Sequence, residues 1–219
     1  MTTPNSDSEH KMTSLQEDVF NRVLSADLWG LSKCFESKFE PQENNAFDKK
    51  DELGRNALLT ASMLGRSAIV RELVRHGAQV NEQTVRGYSS LHLATCWGHL
   101  DTVRTLLELN ADTESRTFRG ERPLDLARRH SRTDCIDCLI LADAKQDFES
   151  YVSFIKDTIS VSEKKLSKED KNTCMRVCSI KSEWIQSIKS PTVSDFTAQR
   201  EDMKETLQPI LNKLSAALP

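Results

Sequence analysis

Glycine is scarce in this chain: seven occur among 219 residues, at positions 30, 54, 65, 77, 87, 98 and 120. None forms a Gly-rich loop whose backbone N–H groups could cradle phosphates, so nucleotide-driven chemistry is not expected. No apolar run approaches the roughly 20 residues needed to cross a bilayer, and the opening MTTPNSDSEHK is polar throughout. An excess of charge is missing too. Thirty basic against 33 acidic side chains leave a formal net charge of -3, which argues against a general polyanion binder. Asn-x-Ser/Thr acceptors are absent, and the six cysteines, Cys34, Cys96, Cys135, Cys138, Cys174 and Cys178, are scattered through apolar helical patterns. Such usage suits a reducing cytosol or nucleus. The expectation is a soluble protein, neither secreted nor membrane-anchored, with one large core or two small ones.

What the chain does have is a period. Gly54, Gly87 and Gly120 lie 33 residues apart, and each opens the pattern Gly-x-x-x-Leu-x-x-Ala in GRNALLTA, GYSSLHLA and GERPLDLA. The same interval relates Val70, Val103 and Ile136, then Leu73, Leu106 and Leu139, then Ala78, Ala111 and Ala144. The opening glycine permits a turn with positive φ, and the Leu and Ala that follow share one helical face. A second short helix presents Val/Ile and Leu, and is expected to end at Gly77, Asn110 or Asp143. Each unit is a turn and two helices that cannot cover its own apolar face, so it must stack on its copies.

These residues resemble the ankyrin repeat, best in GYSSLHLATCWGHLDTVRTLLELNADTE and well in GRNALLTASMLGRSAIVRELVRHGAQVN. The third copy keeps Pro123, Leu124 and Ala127 but has Ser131 where the second helix should begin with Gly, as a terminal cap would. Upstream, Ala26 and Gly30 have the spacing of Ala61 and Gly65, which suggests a degenerate first repeat over 16–50, lengthened by FEPQENNAFDKKDE. The expected organisation is a disordered 1–15, ankyrin repeats over 16–143 (16–50, 51–83, 84–116, 117–143) and a helical bundle over 144–219.

The resemblance implies protein binding and, through its register, names the contact positions. Turn tips fall at Val85, Arg86 and Tyr88, then at Phe118, Arg119 and Glu121. Groove positions are Met63 and Leu64, Cys96 and Trp97, Arg129 and His130. Trp97, with Tyr88 and the arginines close by, is the candidate hot spot, since Trp, Tyr and Arg dominate interface energetics. The competing role is that Trp97 and Tyr88 merely cover the adjacent repeat.

Basic residue type changes at the end of the array. Residues 51 to 142 hold twelve Arg and no Lys, whereas 143 to 219 hold ten Lys and two Arg. In the later part Phe148, Tyr151, Val152, Ile155 and Ile159 form one helical stripe. Cys174, Val177, Cys178, Trp184, Ile185 and Ile188 form a second behind a Ser167–Asp170 capping box. Pro191 breaks the chain, Thr192 and Asp195 can cap again, and Phe196, Met203, Leu207, Ile210, Leu211 and Leu214 make a third stripe. Three such helices can close into a bundle.

The pieces AKQDFESYVSFIKDTI, LSKEDKNTCMRVC, EWI and DFTAQREDMKETLQPILNKL resemble the C-terminal helical lid of the 70-kDa heat-shock chaperones, down to Pro209 inside a helix. With no ATPase domain and no room for a peptide-binding β-sandwich, that resemblance implies a docking module, not a working chaperone. An ankyrin array joined to such a lid is similar to one small vertebrate family. This implies a cytoplasmic protein at cytoskeletal structures of dividing or ciliated cells, such as the midbody, cleavage furrow or cilium.

Sharper chemistry competes poorly. Cys135-x-x-Cys138 and Cys174-x-x-x-Cys178 could offer thiolates to zinc, but each pair lies on an apolar face where free Cys acts as a small hydrophobe. A thioredoxin-like pair lacks the surrounding strands. His92 sits in the Leu-His slot that in ankyrin repeats supports the turn by hydrogen bonding, His99 occupies the usual Gly-His pair of that repeat, and no carboxylate stands in acid–base relation to either. Arg116, Arg119, Arg122, Arg128, Arg129 and Arg132 are interleaved with Glu114, Glu121, Asp125 and Asp134. They read first as a solvated, salt-bridged surface, second as a dock for an acidic partner, and third as a nucleic-acid contact.

The expected fold is therefore all-α, an ankyrin-repeat solenoid followed by a three-helix lid-like bundle. The expected function is a non-catalytic adaptor using Arg86, Tyr88, Trp97, Phe118, Arg119 and Arg129, with no catalytic or metal site and no cofactor. Its expected partners are proteins, including self-association or a heat-shock chaperone through 144–219, with neither nucleic acid nor membrane. The alternatives are a chaperone-associated regulator and a metal-dependent or redox enzyme.

Overall fold

The computed structural model describes residues 6–38, 47, 50–161 and 166–215. These form ten α-helices and no strand beyond an isolated bridge between Gln83 and Ser89, as the all-α expectation requires. The chain divides into two compact units, Met1–Leu139 and Ile140–Pro219.

In the first unit the helices are α1 (Ser6–Ser25), α2 (Leu28–Lys38), α3 (Ala57–Met63), α4 (Ser67–Arg75), α5 (Ser90–Trp97), α6 (Leu100–Glu108) and α7 (Pro123–Arg129). The opening turns of α8 (Thr133–Val161) follow. Helices α1, α3, α5 and α7 stack as one layer, and α2, α4 and α6 stack behind them as another. The small-residue column explains the close stacking: Ala61, Ala94 and Ala127 are fully buried, so the inner helices meet with no side chain between them beyond a methyl. Leu58, Leu91 and Leu124 and then Leu73, Leu106 and Leu139 fill the core at the same interval. Each buried leucine contributes about 1.5–3 kcal/mol relative to exposure.

Short helices need defined ends. Asn56 accepts from the Leu59 amide at 2.9 Å to start α3, and Pro123 opens α7 where its missing N–H costs nothing. Between the paired helices stand Ala26, Gly65, Gly98 and Ser131, all left-handed with φ of 60, 71, 76 and 53°. The next residue of each, Asp27, Arg66, His99 and Arg132, donates its amide back to Arg22, Ala61, Ala94 and Ala127 at 2.9–3.0 Å.

That correspondence corrects the register of the first repeat. Ala26 is the partner of Gly65 rather than of Ala61, and Gly30 lies inside α2, where its amide is capped by Asp27 at 2.8 Å. The interval from Ala26 to Gly65 is thus 39 positions, against 33 from Gly65 to Gly98 and from Gly98 to Ser131. Most of FEPQENNAFDKKDE, assigned to the extra length, lies outside the described residues. Helix α1 starts at Ser6, inside the segment expected to be disordered, whose first five residues are also outside the described set.

A second correction concerns the last repeat. Gly77 and Asn110 end their helices with positive φ, but Asp143 sits within α8, which continues to Val161. Asp143 is followed by Ala144, Lys145 and Gln146, good helix formers, and nothing there stops the helix.

The second unit contains the later part of α8, then α9 (Lys168–Ser187) and α10 (Val193–Ser215). Its core is Phe148, Val152, Ile155, Ile159, Leu166, Cys174, Cys178, Phe196, Met203, Leu207 and Ile210, close to the three expected stripes. Phe148, Trp184 and Phe196 meet edge-on or tilted, with centroids 5.5–6.4 Å apart. Both expected caps form: Ser167 Oγ accepts from the Asp170 amide at 3.0 Å, and Thr192 Oγ1 from that of Asp195 at 3.2 Å. Pro209 lies inside α10.

Candidate protein-binding surface

Three β-turn fingers precede α3, α5 and α7, built by the same bonds. The amides of Asp51, Thr84 and Thr117 donate to the carbonyls of Arg55, Tyr88 and Glu121 at 2.9–3.0 Å. Those of Gly54, Gly87 and Gly120 donate back to Asp51, Thr84 and Thr117 at 2.8–2.9 Å. The three glycines have φ of 74–76°, so the finger repeats by translation. Adjacent fingers lie against each other: the Phe118 amide donates to the Arg86 carbonyl at 3.0 Å. A Cβ on Gly87 would come within 3.0 Å of the Arg116 carbonyl oxygen.

His92 anchors this edge from below. Its Nδ1 accepts from the Ser89 amide at 3.2 Å and lies 2.8 Å from Ser89 Oγ, so Nε2 carries the proton and donates to the Glu121 carbonyl at 3.0 Å. Burial lowers the His92 pKa from 6.5 to about 4, keeping the ring neutral. His99 supports the turn at the other end of the inner helices, donating to the Met63 carbonyl at 3.0 Å while its ring covers Gly65. One repeat later Arg132 does the same, with its Nε–H on the Cys96 carbonyl at 3.3 Å and its stem over Gly98.

The sequence-named residues separate into two places. At the fingers, Phe118 is 60% exposed, with the guanidinium carbons of Arg86 and Arg119 at 5.9 and 5.3 Å from its ring centroid. Tyr88 is half-buried and packs edge-on against His92 at 6.1 Å, so its ring is partly structural. Trp97 is 58% exposed at the far end of α5. The eight residues of α5 span about 12 Å, so Tyr88 and Trp97 are not neighbours and the single hot spot divides. Leu64 and His130, the counterparts of Trp97, are also exposed. Arg129 is exposed but tied to Glu121 by an ion pair.

Two features escape sequence reading. Arg116 braces the third finger through a 2.8 Å bond from Nη1 to the Gly120 carbonyl, detectable only as an Arg four positions before the finger glycine. Trp29 is 72% exposed on α2 with Lys33 Nζ 4.8 Å from its centroid.

Five of the six cysteines sit where burial disfavours the thiolate. Burial pushes the thiols of Cys96, Cys135, Cys138, Cys174 and Cys178 above their ordinary range, the reverse of what a nucleophile or zinc thiolate requires. Among the described residues no cluster of three or more His, Cys, Asp or Glu could hold a metal. Likewise, among the described residues no helix is long and apolar enough to cross a membrane.

Comparison with known proteins agrees with this architecture. The family described as Ankyrin repeats (3 copies) matches residues 30–117. The chain is 47% identical over 208 residues to ankyrin repeat domain-containing protein 45 of Danio rerio, covering 92% of this chain and 93% of that protein. It is 40% identical over 213 residues to the Mus musculus protein of that name (94% and 86% covered) and 35% identical over 213 residues to the Homo sapiens one (94% and 80%). With its stacked fingers and helix pairs matched over nearly their whole length by these relatives, the chain belongs to the family of ankyrin repeat domain-containing protein 45, whose repeats are protein-interaction modules.

Proposed function

We propose that the chain is a non-catalytic adaptor whose repeat array binds one protein through its finger tips and inner-helix ends, while its helical bundle engages another protein or a second copy. One observation carries this: Phe118 and Trp97, two large aromatics at positions where the repeat register expects partner contacts, are exposed on an array whose repeating apolar columns are largely buried. Phe118 with Arg86 and Arg119 offers an aromatic and cationic contact, Trp97 a second anchor, and Tyr88 and Arg129 partly exposed flanks. The family resemblance adds a cytoplasmic placement at cytoskeletal structures of dividing or ciliated cells, which imaging of the tagged protein at midbody, cleavage furrow and cilium would check.

The test is an affinity pull-down comparing the parent chain with a Trp97→Ala, Phe118→Ala double variant. Loss of a defined set of partners is expected, and an unchanged set overturns the array as the binding surface.

A second reading makes the bundle a regulator of a heat-shock chaperone or its clients. Its support is that Phe154 and Ile180 stay 61% and 55% exposed although the bundle closes a core of its own. Adding the full chain to a purified chaperone should then change ATPase or refolding rates, and Phe154→Ala, Ile180→Ala should abolish the change. No effect at saturation removes this reading.

A further inference from the structure

This inference rests on the protein-binding reading of the array and narrows it to a partner chemistry. The acidic residues interleaved with arginine in the last repeat do not neutralise that surface evenly. Glu114 is held by Arg122 at 2.7 Å, and Glu121 is held by Arg129. Asp125 accepts from the Arg122 amide at 2.9 Å and faces the same guanidinium at 3.8 Å. These three carboxylates are thus taken up by two arginines behind the fingers. Among the described residues, Arg86, Arg116 and Arg119 at the finger tips have no carboxylate partner.

Those three side chains are exposed and set around apolar tips. Phe118 has the guanidinium carbons of Arg86 and Arg119 at 5.9 and 5.3 Å from its ring centroid, and Val85, one repeat earlier at the same finger position, is 90% exposed. Arg116 is held in place by its bond to the Gly120 carbonyl. The patch therefore combines uncompensated positive charge with desolvatable apolar surface, although the chain as a whole carries a net charge of -3.

We propose that the finger tips dock an acidic, extended segment of a partner protein, its carboxylates pairing with Arg86 and Arg119 on either side of an apolar residue that lies on Phe118. The spacing follows from the ring contacts. Both guanidinium carbons sit on one ring, so they are at most about 11 Å apart, and three residues of extended chain cover about 10 Å. Carboxylates two or three positions apart fit within this span. Guanidinium groups also bind carboxylates in two-pronged fashion, which gives such a site directionality. A nucleic acid fits less well, because three arginines displace few counterions and the rest of the chain repels a polyanion.

The experiment is selection from a displayed library of random peptides of about twelve residues against the full chain, its Arg86→Glu, Arg119→Glu double variant, and an Arg176→Glu control placed on exposed α9. The expected pool is enriched in Asp or Glu two or three positions apart around an aromatic or aliphatic residue. Affinity should fall at least about tenfold in the double variant, stay unchanged in the control, and weaken as salt rises from about 50 to about 300 mM. A pool without acidic enrichment, or one bound equally by the double variant, overturns the acidic class while leaving protein binding at Trp97 intact. An empty selection overturns the proposal too, and so does a single-stranded oligo-dT of similar length that binds more tightly than the selected peptides.

Discussion

The Nε2–H of His92 donates to the carbonyl of Glu121 at 3.0 Å, joining two consecutive repeats through one neutral imidazole. Its pKa near 4 when folded, against 6.5 in the open chain, fixes the sign of a pH effect. Between those values the unfolded chain takes up a proton that the folded one refuses. The stabilisation is complete above about pH 6.5 and is lost as pH falls toward 4, at about 1.4 kcal/mol per pH unit and about 3 kcal/mol in all. Chemical denaturation at several pH values should show this slope. His92→Gln, less stable at neutral pH, should show a shallower one.

Gly87 and Gly120 share a backbone conformation but not a neighbourhood. Alanine at either pays about 1–2 kcal/mol for its positive φ. At Gly87 the new methyl also meets the Arg116 carbonyl oxygen at 3.0 Å and Thr117 Cα at 3.2 Å, whereas at Gly120 nothing lies within 4 Å. Gly87→Ala should therefore be the more damaging by about 1 kcal/mol or more in urea denaturation. Equal losses would mean the fingers are not stacked as described.

Ala26 and Ser131 hold left-handed turns that Gly65 and Gly98 hold elsewhere, at φ of 60 and 53°. Ala26→Gly and Ser131→Gly should each stabilise the array by about 0.5–1 kcal/mol, the relief of strain exceeding the added entropy of the unfolded chain. A raised denaturation midpoint at unchanged m-value would check this.

In the bundle, Lys181 is only 8% exposed; its Nζ donates to Gln199 Oε1 at 2.7 Å and pairs with Asp202. Asp202→Ala strands a buried ammonium and should cost about 1–2 kcal/mol, while Lys181→Met, which keeps the stem and removes the charge, should cost less. The reverse ranking in thermal melts would show that the pair, not the packing, holds α9 to α10.

The repeat columns were legible because stacking imposes the same demand every 33 residues: Ala61, Ala94 and Ala127 must all be small, and Leu73, Leu106 and Leu139 must all be buried. The first repeat was misread because two small residues four apart, Ala26 and Gly30, match two registers equally, and only the backbone bond from Asp27 to Arg22 chooses between them. The end at Asp143 was inferred from column position, yet no local breaker enforces it. Of the candidate site, exposure at Phe118 and Trp97 followed from register. The Arg86–Phe118 contact did not, since it arises between residues 32 positions apart on adjacent fingers. Tyr88 and Trp97 are close in sequence, but Tyr88 precedes the start of α5 and Trp97 is its last residue.

The interval of 39 positions between Ala26 and Gly65 has a practical consequence. The stack has already absorbed six residues more than its period, four of them between α2 and α3 and two in α2 itself, and lengthening a connection costs only about 0.6 kcal/mol per doubling. The part of that junction ahead of Asp51 is accordingly where an epitope or fluorescent label can enter the chain while the fingers at Arg86 and Phe118 stay clear for whatever they grip.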